Sequence, residues 1–276
     1  VARGRDHMVN TPPQILIYEA LGGRVPEFAH LPMMLAQSGE KLSKRHGAVS
    51  VGEYRLEGYS PHAVLNYLAR FGWSHGDQEV FSRSELVEAF SWEACGRGDG
   101  KFDPKKFLAI DHEHLKAPRL TPDAEYAKRV APFLEARGID RVDPAKLAKA
   151  VPTVRERAPT FKDAADRLDF YFREPVMDEK ARAKFLTPEH AANLDGFRQA
   201  VAEVSPFSAK ALEERITAWL AEKGLQIKDV AQPARVALTG RTASPGLYEV
   251  LEVLGRDESL ARLEKGKTLA AGAAAS

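Results

Sequence analysis

The chain has 276 residues, of which 40 are Lys or Arg and 39 Asp or Glu, for a formal net charge of +1. That length supplies one to three domains with real cores, and the near-even balance excludes nucleic-acid recognition through overall charge, so any RNA contact rests on local patches. The single cysteine, Cys95, excludes an internal disulfide and a cysteine-rich zinc site, and fits a reducing cytoplasm.

No apolar run approaches the roughly 20 residues that span a bilayer. Residues 1–10 lack the apolar core of a signal peptide. The chain opens without Met inside what reads as a structured motif, so a fragment or processed chain is expected. The motif itself, VARGRDHMVN, offers Arg3, Asp6 and His7. These converge if a strand ends and a helix begins there, the edge at which open α/β sheets bind ligands. A surface loop with a salt bridge is the competing reading.

Thr11 reads as an N-cap with Pro12 in the first turn. The helix continues through QILIYEALGG, with Ile15, Leu16 and Tyr18 as an apolar stripe and Gly22 as its end. Residues 28–35 form a short apolar run that reads as a buried strand. His30 within it reads more readily as a core histidine than as a catalyst. Met33 and Met34 suit irregular core gaps.

The stretch GEKLSKRHG, residues 39–47, concentrates Lys41, Lys44 and Arg45 between two glycines. Gly39 and Gly47 can adopt backbone angles closed to other residues, so the segment reads as a loop. Lysine is a point charge on a long stem, suited to following a polyphosphate, and Ser43 adds a hydroxyl donor. A solvated basic turn, a nuclear-import patch or a nonspecific nucleic-acid patch would read similarly.

Residues 51–56 suggest a short helix. In YSPHAVLNYLARFGW, Ser60 caps, Pro61 follows, and Val64, Leu65, Leu68 and Phe71 are expected on one face. SRSELVEAF repeats the device with Ser82 or Ser84, and FDPKKFLAIDHEHLKA repeats it with Asp103. His112 and His114 are two apart on that helix and point apart, so metal chelation with Asp111 and Glu113 is not expected.

From Thr121 onward the pattern is almost wholly helical. TPDAEYAKRVAPFLEARG shows cap, Pro and terminal Gly. Further helices are expected over 143–158, 161–172, 187–203, 208–223 and 245–254, separated by breaks at REPVMD and GLQIKDVAQP. Arg155 and Arg157 lie beside a helix break, where most arginines are simply solvated. Thr239 and Gly240 end one element, and Ser244, Pro245 and Gly246 start a helix whose N–H groups can meet a base or phosphate. The final KTLAAGAAAS reads as a disordered tail.

The order RGRDHMVNTPPQILIYEALG, KLSKR and HGAVSVGEYRLEGYSPHAVLNYLARFGW resembles the second half of a bacterial glutamyl-tRNA synthetase, a class I aminoacyl-tRNA synthetase. The resemblance runs from Val1 to about Leu263. It implies a mostly α chain: residues 1–30 a remnant of the Rossmann-like α/β nucleotide-binding catalytic domain, and 31–120 a stem-contact domain including KLSKR. It further implies two helical anticodon-binding domains, 121–170 and 171–276, where glutaminyl-tRNA synthetases have β-barrels.

KLSKR then corresponds to the family's KMSKS-type signature, and Lys41, Ser43 and Lys44 are the implied catalytic residues. The resemblance implies that Arg3 and Asp6 bind glutamate, that His7, Met33, Met34 and Lys44 bind ATP, and that Arg157, Arg235, Ser244, Pro245 and Leu247 hold the anticodon loop. The family usually carries an acidic residue at the position of Arg5, which departs and is left without a role. Implied partners are tRNA(Glu), ATP with Mg²⁺ as substrate and L-glutamate, with no zinc, no membrane, a monomeric state and a cytoplasmic location. No HIGH-type signature occurs in the chain, so it is expected to be inactive by itself. A stand-alone tRNA-binding module and a helical scaffold without RNA function are the competing readings.

Overall fold

In a computed structural model of the chain, residues 1–42 and 50–272 are described. They divide into two compact units, Val1–Thr121 with Pro159–Phe161, and Pro122–Ala158 with the chain from Lys162 onward.

The first unit opens on strand β1 (Ala2–Gly4), a 3-10 turn over Arg5–Asn10, helix α1 (Thr11–Ala20) and strand β2 (Ala29–Leu31). β1 and β2 pair in parallel, with Ala2 opposite Ala29 and Gly4 opposite Leu31. Asn10, not Thr11, is the N-cap, and the Thr11 hydroxyl instead lies 2.9 Å from His30 Nε2. Of the expected stripe on α1, Ile15 is half-buried, whereas Leu16 is 64% and Tyr18 41% exposed.

The expected buried strand over residues 28–35 is interrupted. Pro32, which has no N–H to donate, separates β2 from strand β3 (Met34–Leu35), and β3 pairs in parallel with strand β4 (Gly100–Lys101) in a different sheet. One run of sequence therefore serves two sheets, each of two strands.

Four helices follow: α2 (Val51–Leu56), α3 (Pro61–Arg70), α4 (Arg83–Ala89) and α5 (Pro104–Lys116). Ser82 caps α4, its Oγ accepting from the Glu85 N–H while the Glu85 carboxylate accepts from the Ser82 N–H. Asp103 caps α5 by accepting from the N–H groups of Lys105 and Lys106. The buried face of α3 is Ala63, Val64 and Tyr67, whereas Leu65 and Leu68 are exposed. Tyr67 stacks on Phe107 at 4.5 Å, and Tyr59 and Tyr54 close around the same ring at 4.6 and 4.9 Å. The Tyr67 hydroxyl is satisfied by the backbone of Asp103, so a polar residue fills the place expected for leucine.

Asp111 and His114 of α5 are fully buried. The Ser60 N–H donates to Asp111 Oδ1 at 2.8 Å, which fixes the start of α3 against α5. His114 Nε2 lies 3.0 Å from Asn66 Oδ1, which also accepts from the Phe81 N–H at 2.7 Å, while Asn66 Nδ2 donates to the Glu79 carbonyl. Burial pushes the His114 pKa down to about 4, so the ring is neutral and its Nε2–H donates to Asn66. Among the described residues, no group of three or more His, Cys, Asp or Glu is placed to hold a metal ion.

The second unit is helical: α6 (Asp123–Glu135), α7 (Pro144–Val154), a 3-10 turn over Arg155–Arg157, α8 (Phe161–Leu168), a 3-10 turn over Asp169–Tyr171, then α9 (Glu179–Phe185), α10 (Pro188–Ala202), α11 (Ala209–Lys223), α12 (Lys228–Thr239), α13 (Leu247–Leu254) and α14 (Arg256–Gly272). Leu194, Phe197 and Val201 of α10 are buried, as are Val230, Ala234 and Leu238 of α12 and Leu263 of α14. Gly266 lets α14 approach α12, because a Cβ there would collide with Ala237.

Three helices depart from the sequence expectation. α9 follows the REPVMD break, with Asp178 accepting from the N–H groups of Lys180 and Ala181. α12 starts inside the expected GLQIKDVAQP break and carries Pro233 in its interior, buried. α14 continues through Gly272, so most of the expected tail is helical, and Ala270 is fully buried. Residues 273–276 lie outside the described residues. Among the described residues, no helix is long and apolar enough to cross a membrane.

Candidate functional site

In the first unit the parallel β1–β2 pair leads directly into the 3-10 turn that carries Arg5, Asp6 and His7. Arg3 is the central residue of β1, opposite His30, and donates to the side chain of Gln14 on α1. His7 Nδ1 lies 3.4 Å from Asn10 Nδ2. Asp6 accepts from Lys41 Nζ at 2.7 Å, and that hydrogen bond is the main reason its carboxyl is held below the ordinary aspartate value. A residue expected to bind glutamate and a residue expected to belong to the basic loop are thus directly paired.

Lys41 closes a tight hairpin. Leu35 and Lys41 bridge in antiparallel fashion, and the Ala36 N–H donates to the Glu40 carbonyl at 2.8 Å. Gly39 turns the chain with φ of 89°, a conformation that favours glycine. Ser43 and Lys44, the other expected catalytic residues, lie outside the described residues.

Met33 is held from the side of β4. Its N–H donates to Asp99 Oδ1 at 2.8 Å and its carbonyl accepts from the Gly100 N–H at 3.1 Å. The Met34 carbonyl accepts from the Leu42 N–H. Asp99 also pairs with Arg5 at 2.5 Å. Sequence reasoning missed Asp99 and Gln14. The one available signal for Asp99 was Arg5, a cation whose partner could not be named.

In the second unit, α7 delivers Arg157 at the end of its 3-10 extension. Arg155 is buried, donates to Asp123 Oδ1 through Nε and Nη2, and lies 4.7 Å from the Tyr126 ring centroid. Arg157 is exposed and donates from Nη1 to the Ser244 carbonyl at 2.8 Å. Arg235 of α12 donates from Nη1 to the same carbonyl at 3.2 Å, to the Pro245 carbonyl at 2.7 Å and to Ser244 Oγ. Burial lowers the pKa of Arg235, and the neighbouring Arg157 lowers it further.

Gly246, not Ser244, is the N-cap of α13, and its N–H donates to Glu249 Oε2 at 3.2 Å. That helix start therefore already faces a carboxylate. Pro245 and Leu247 are buried. A cavity of about 210 Å³ opens beside them, lined among others by Thr153, Arg157, Arg167, Phe170, Arg241 and Ser244.

The far wall of this cavity rests on a buried carboxylate. Asp169 is 2% exposed and accepts from Arg173 at 2.5 Å and from Arg241 Nη2 at 3.0 and 3.2 Å, while Arg241 Nη1 donates to the Asp166 carbonyl at 2.7 Å. Behind it, buried Arg262 donates to the carbonyls of Phe170 and Leu238 at 2.8 Å each and of Arg173 at 3.1 Å. Asp169, Arg241 and Arg262 escaped the sequence reading: Asp169 and Arg262 each have one partner four residues away, but the Asp169–Arg241 pair spans 72 residues and the Phe170 and Leu238 carbonyls lie 92 and 24 residues from Arg262.

A short parallel β-helix-β element with a lysine-bearing hairpin is thus followed along the chain by a helical unit with an arginine-lined cavity. The profile "tRNA synthetases class I (E and Q), catalytic domain" matches residues 1–108, and "Anticodon binding domain" matches residues 125–267. Within the class I aminoacyl-tRNA synthetases so defined, the chain belongs to the glutamate–tRNA ligase family.

It is 47% identical over 264 residues to a glutamate–tRNA ligase of Anaeromyxobacter sp. (strain Fw109-5), covering 96% of this chain and 55% of that protein. It is 46% identical over 266 residues to that of Geobacter sulfurreducens, covering 96% and 56%. A crystal structure of a glutamate tRNA ligase from Elizabethkingia meningosepticum, in complex with its amino acid, superposes with a TM-score of 0.78 at 29% identity, covering 97% of this chain and 56% of that one. A glutamate-tRNA synthetase from Elizabethkingia anophelis gives 0.75 at 28%. The chain thus spans a little over half the length of the curated relatives it matches.

Proposed function

We propose that this chain works as part of a glutamate–tRNA ligase, which activates L-glutamate with ATP and transfers the glutamyl group to tRNA(Glu). The observation that carries the reading is the succession, in one chain, of a class I catalytic match and an anticodon-binding match. In the first step a carboxylate oxygen of glutamate attacks the α-phosphorus of ATP, the bond to the bridging oxygen breaks, and pyrophosphate leaves. In the second a hydroxyl of the terminal adenosine of tRNA attacks the acyl carbon and AMP leaves. Such chemistry proceeds through positioning and charge stabilisation, without a covalent enzyme intermediate.

Arg3 and Asp6 bind glutamate in this reading, and His7 with the backbone of Met33 and Met34 receives the nucleotide. Lys41, Ser43 and Lys44 meet the triphosphate as pyrophosphate forms. Mg²⁺ arrives on ATP as part of the substrate. Residues 1–30 belong to the nucleotide-binding domain and 31–120 to a stem-contact domain. Residues 121–170 and 171–276 hold the anticodon loop through Arg157, Arg235, Ser244, Pro245 and Leu247. Unpaired bases are recognised by stacking and edge hydrogen bonds, and the guanidinium of the exposed Arg157 at this cavity is suited to either. The enzyme acts as a cytoplasmic monomer.

ATP–pyrophosphate exchange with glutamate tests the reading in the protein that carries the complete catalytic domain. Lys44→Ala is expected to slow exchange by about 10²–10³, as for loss of one transition-state donor. Exchange absent from the wild type, with tRNA(Glu) binding retained, would instead make this a tRNA-binding module.

A further inference from the structure

Two adjacent residues of the 3-10 turn grip the two ends of one hairpin. Asp6 holds Lys41, at its far end, through a 2.7 Å hydrogen bond. Arg5 reaches Met33, at its near end, through Asp99: Arg5 Nη2 lies 2.5 Å from Asp99 Oδ2, and Asp99 Oδ1 accepts from the Met33 N–H at 2.8 Å. The next residue, Gly100, donates to the Met33 carbonyl at 3.1 Å, so consecutive residues seize both backbone groups of Met33. Gly100 has no room for a side chain, since a Cβ would lie 2.9 Å from the Phe71 ring. The position of Asp99 is therefore set by β4 and Phe71, independently of the turn.

We propose that Arg5 and Asp99 are a positioning pair, in which one carboxylate sets the distance between the segment carrying Arg3, Asp6 and His7 and the segment carrying Met33 and Met34. The proposal rests on the functional reading above, in which those two segments hold the amino acid and the nucleotide. The order of charges along the turn, cation at Arg5 and anion at Asp6, is matched by Asp99 and Lys41. A shift of one residue in the turn would set Asp6 against Asp99 in one direction, or Arg5 against Lys41 in the other. Neither Arg5 nor Asp99 touches the reacting atoms in this account. Both act through the backbone at Met33.

The test has two arms. In the present chain, amide hydrogen exchange at Met33 reads the clamp directly. Asp99→Ala is expected to accelerate exchange there about three- to tenfold, the value of one ordinary hydrogen bond. Asp99→Asn, which keeps an acceptor oxygen, is expected to leave Met33 protected. Unchanged exchange in Asp99→Ala, with the fold otherwise intact by NMR, would overturn the clamp.

In the protein with the complete catalytic domain, Asp99→Ala and Arg5→Ala are each expected to raise the KM for ATP in pyrophosphate exchange about tenfold, as small misplacements do. Arg5→Lys should restore it. If Met33 loses protection while KM stays at the wild-type value, the bond is real but positions nothing, and the proposal fails. If the wild type shows no exchange activity at all, the functional reading fails, while the hydrogen-exchange arm still reports on the clamp.

Discussion

Arg157 and Arg235 donate to one acceptor, the backbone carbonyl of Ser244, at 2.8 and 3.2 Å. Burial lowers the pKa of Arg235, and repulsion between the two nearby cations lowers it further. Of the two, Arg157 is the exposed one, at the mouth of the cavity it helps to line. Arg235 is the half-buried one, and its three acceptors fix residues 244–245 ahead of α13. The arrangement separates a presenting arginine from a supporting one.

Arg157→Ala is therefore expected to weaken tRNA(Glu) binding by about 1–3 kcal/mol and to relax discrimination at one anticodon position, by the rule for a base-reading arginine. Filter-binding titrations against single-base anticodon variants check it. An equal loss for every variant would reduce Arg157 to a phosphate clamp, and no loss would remove it from the interface. Affinity should also fall with salt, with a slope of about −0.7 per phosphate contact for single strands.

Arg262 stands behind that site and carries no base-reading role. Its guanidinium is 4% exposed and donates to the carbonyls of Phe170, Leu238 and Arg173. Arg262→Met leaves those acceptors without their donor, so urea denaturation of the second unit should show a loss of about 3 kcal/mol or more. A loss below about 1 kcal/mol would mean that water replaces the guanidinium.

Gly240 ends α12 with φ of 73°, and a Cβ there would run into the Val176 carbonyl. Two separate objections, backbone conformation and space, fall on one atom. Gly240→Ala should destabilise the second unit by about 2 kcal/mol or more, the first objection alone being worth about 1–2. Thermal unfolding measures it, and a change within about 0.5 kcal/mol would show that residues 176–177 yield freely.

His114 makes the first unit sensitive to acid. Its pKa is lowered from 6.5 to about 4 by burial, so the unfolded chain binds a proton that the folded chain refuses between those values. Stability contributed by the neutral ring is therefore full above pH 6.5 and lost as pH falls toward 4, up to about 3 kcal/mol in all. Amide protection factors in α3 and α5, corrected for the intrinsic exchange rate, should fall between pH 7 and pH 5. His114→Gln should flatten that dependence. The same slope in the variant would place the titration elsewhere.

Much of this protein was legible along the chain because its signals are local. The caps at Ser82 and Asp103, the helical character after Thr121 and the turn at Gly39 each depend on residues within a few positions of one another. Hydrophobicity alone misread α3, because Tyr67 is buried with its hydroxyl bonded to Asp103 while Leu65 and Leu68 face outward. Pro32 and Pro233 were both visible, yet one splits a strand and the other is carried inside a helix. Only the packing around each decides which.

Tertiary structure alone paired Arg5 with Asp99 and Arg241 with Asp169, across 94 and 72 residues of chain. Charge pairing between distant segments leaves no periodic trace in a sequence, since any of 40 cations can meet any of 39 anions. It is the backbone, folded by its local signals and its apolar faces, that brings one particular pair within hydrogen-bond reach.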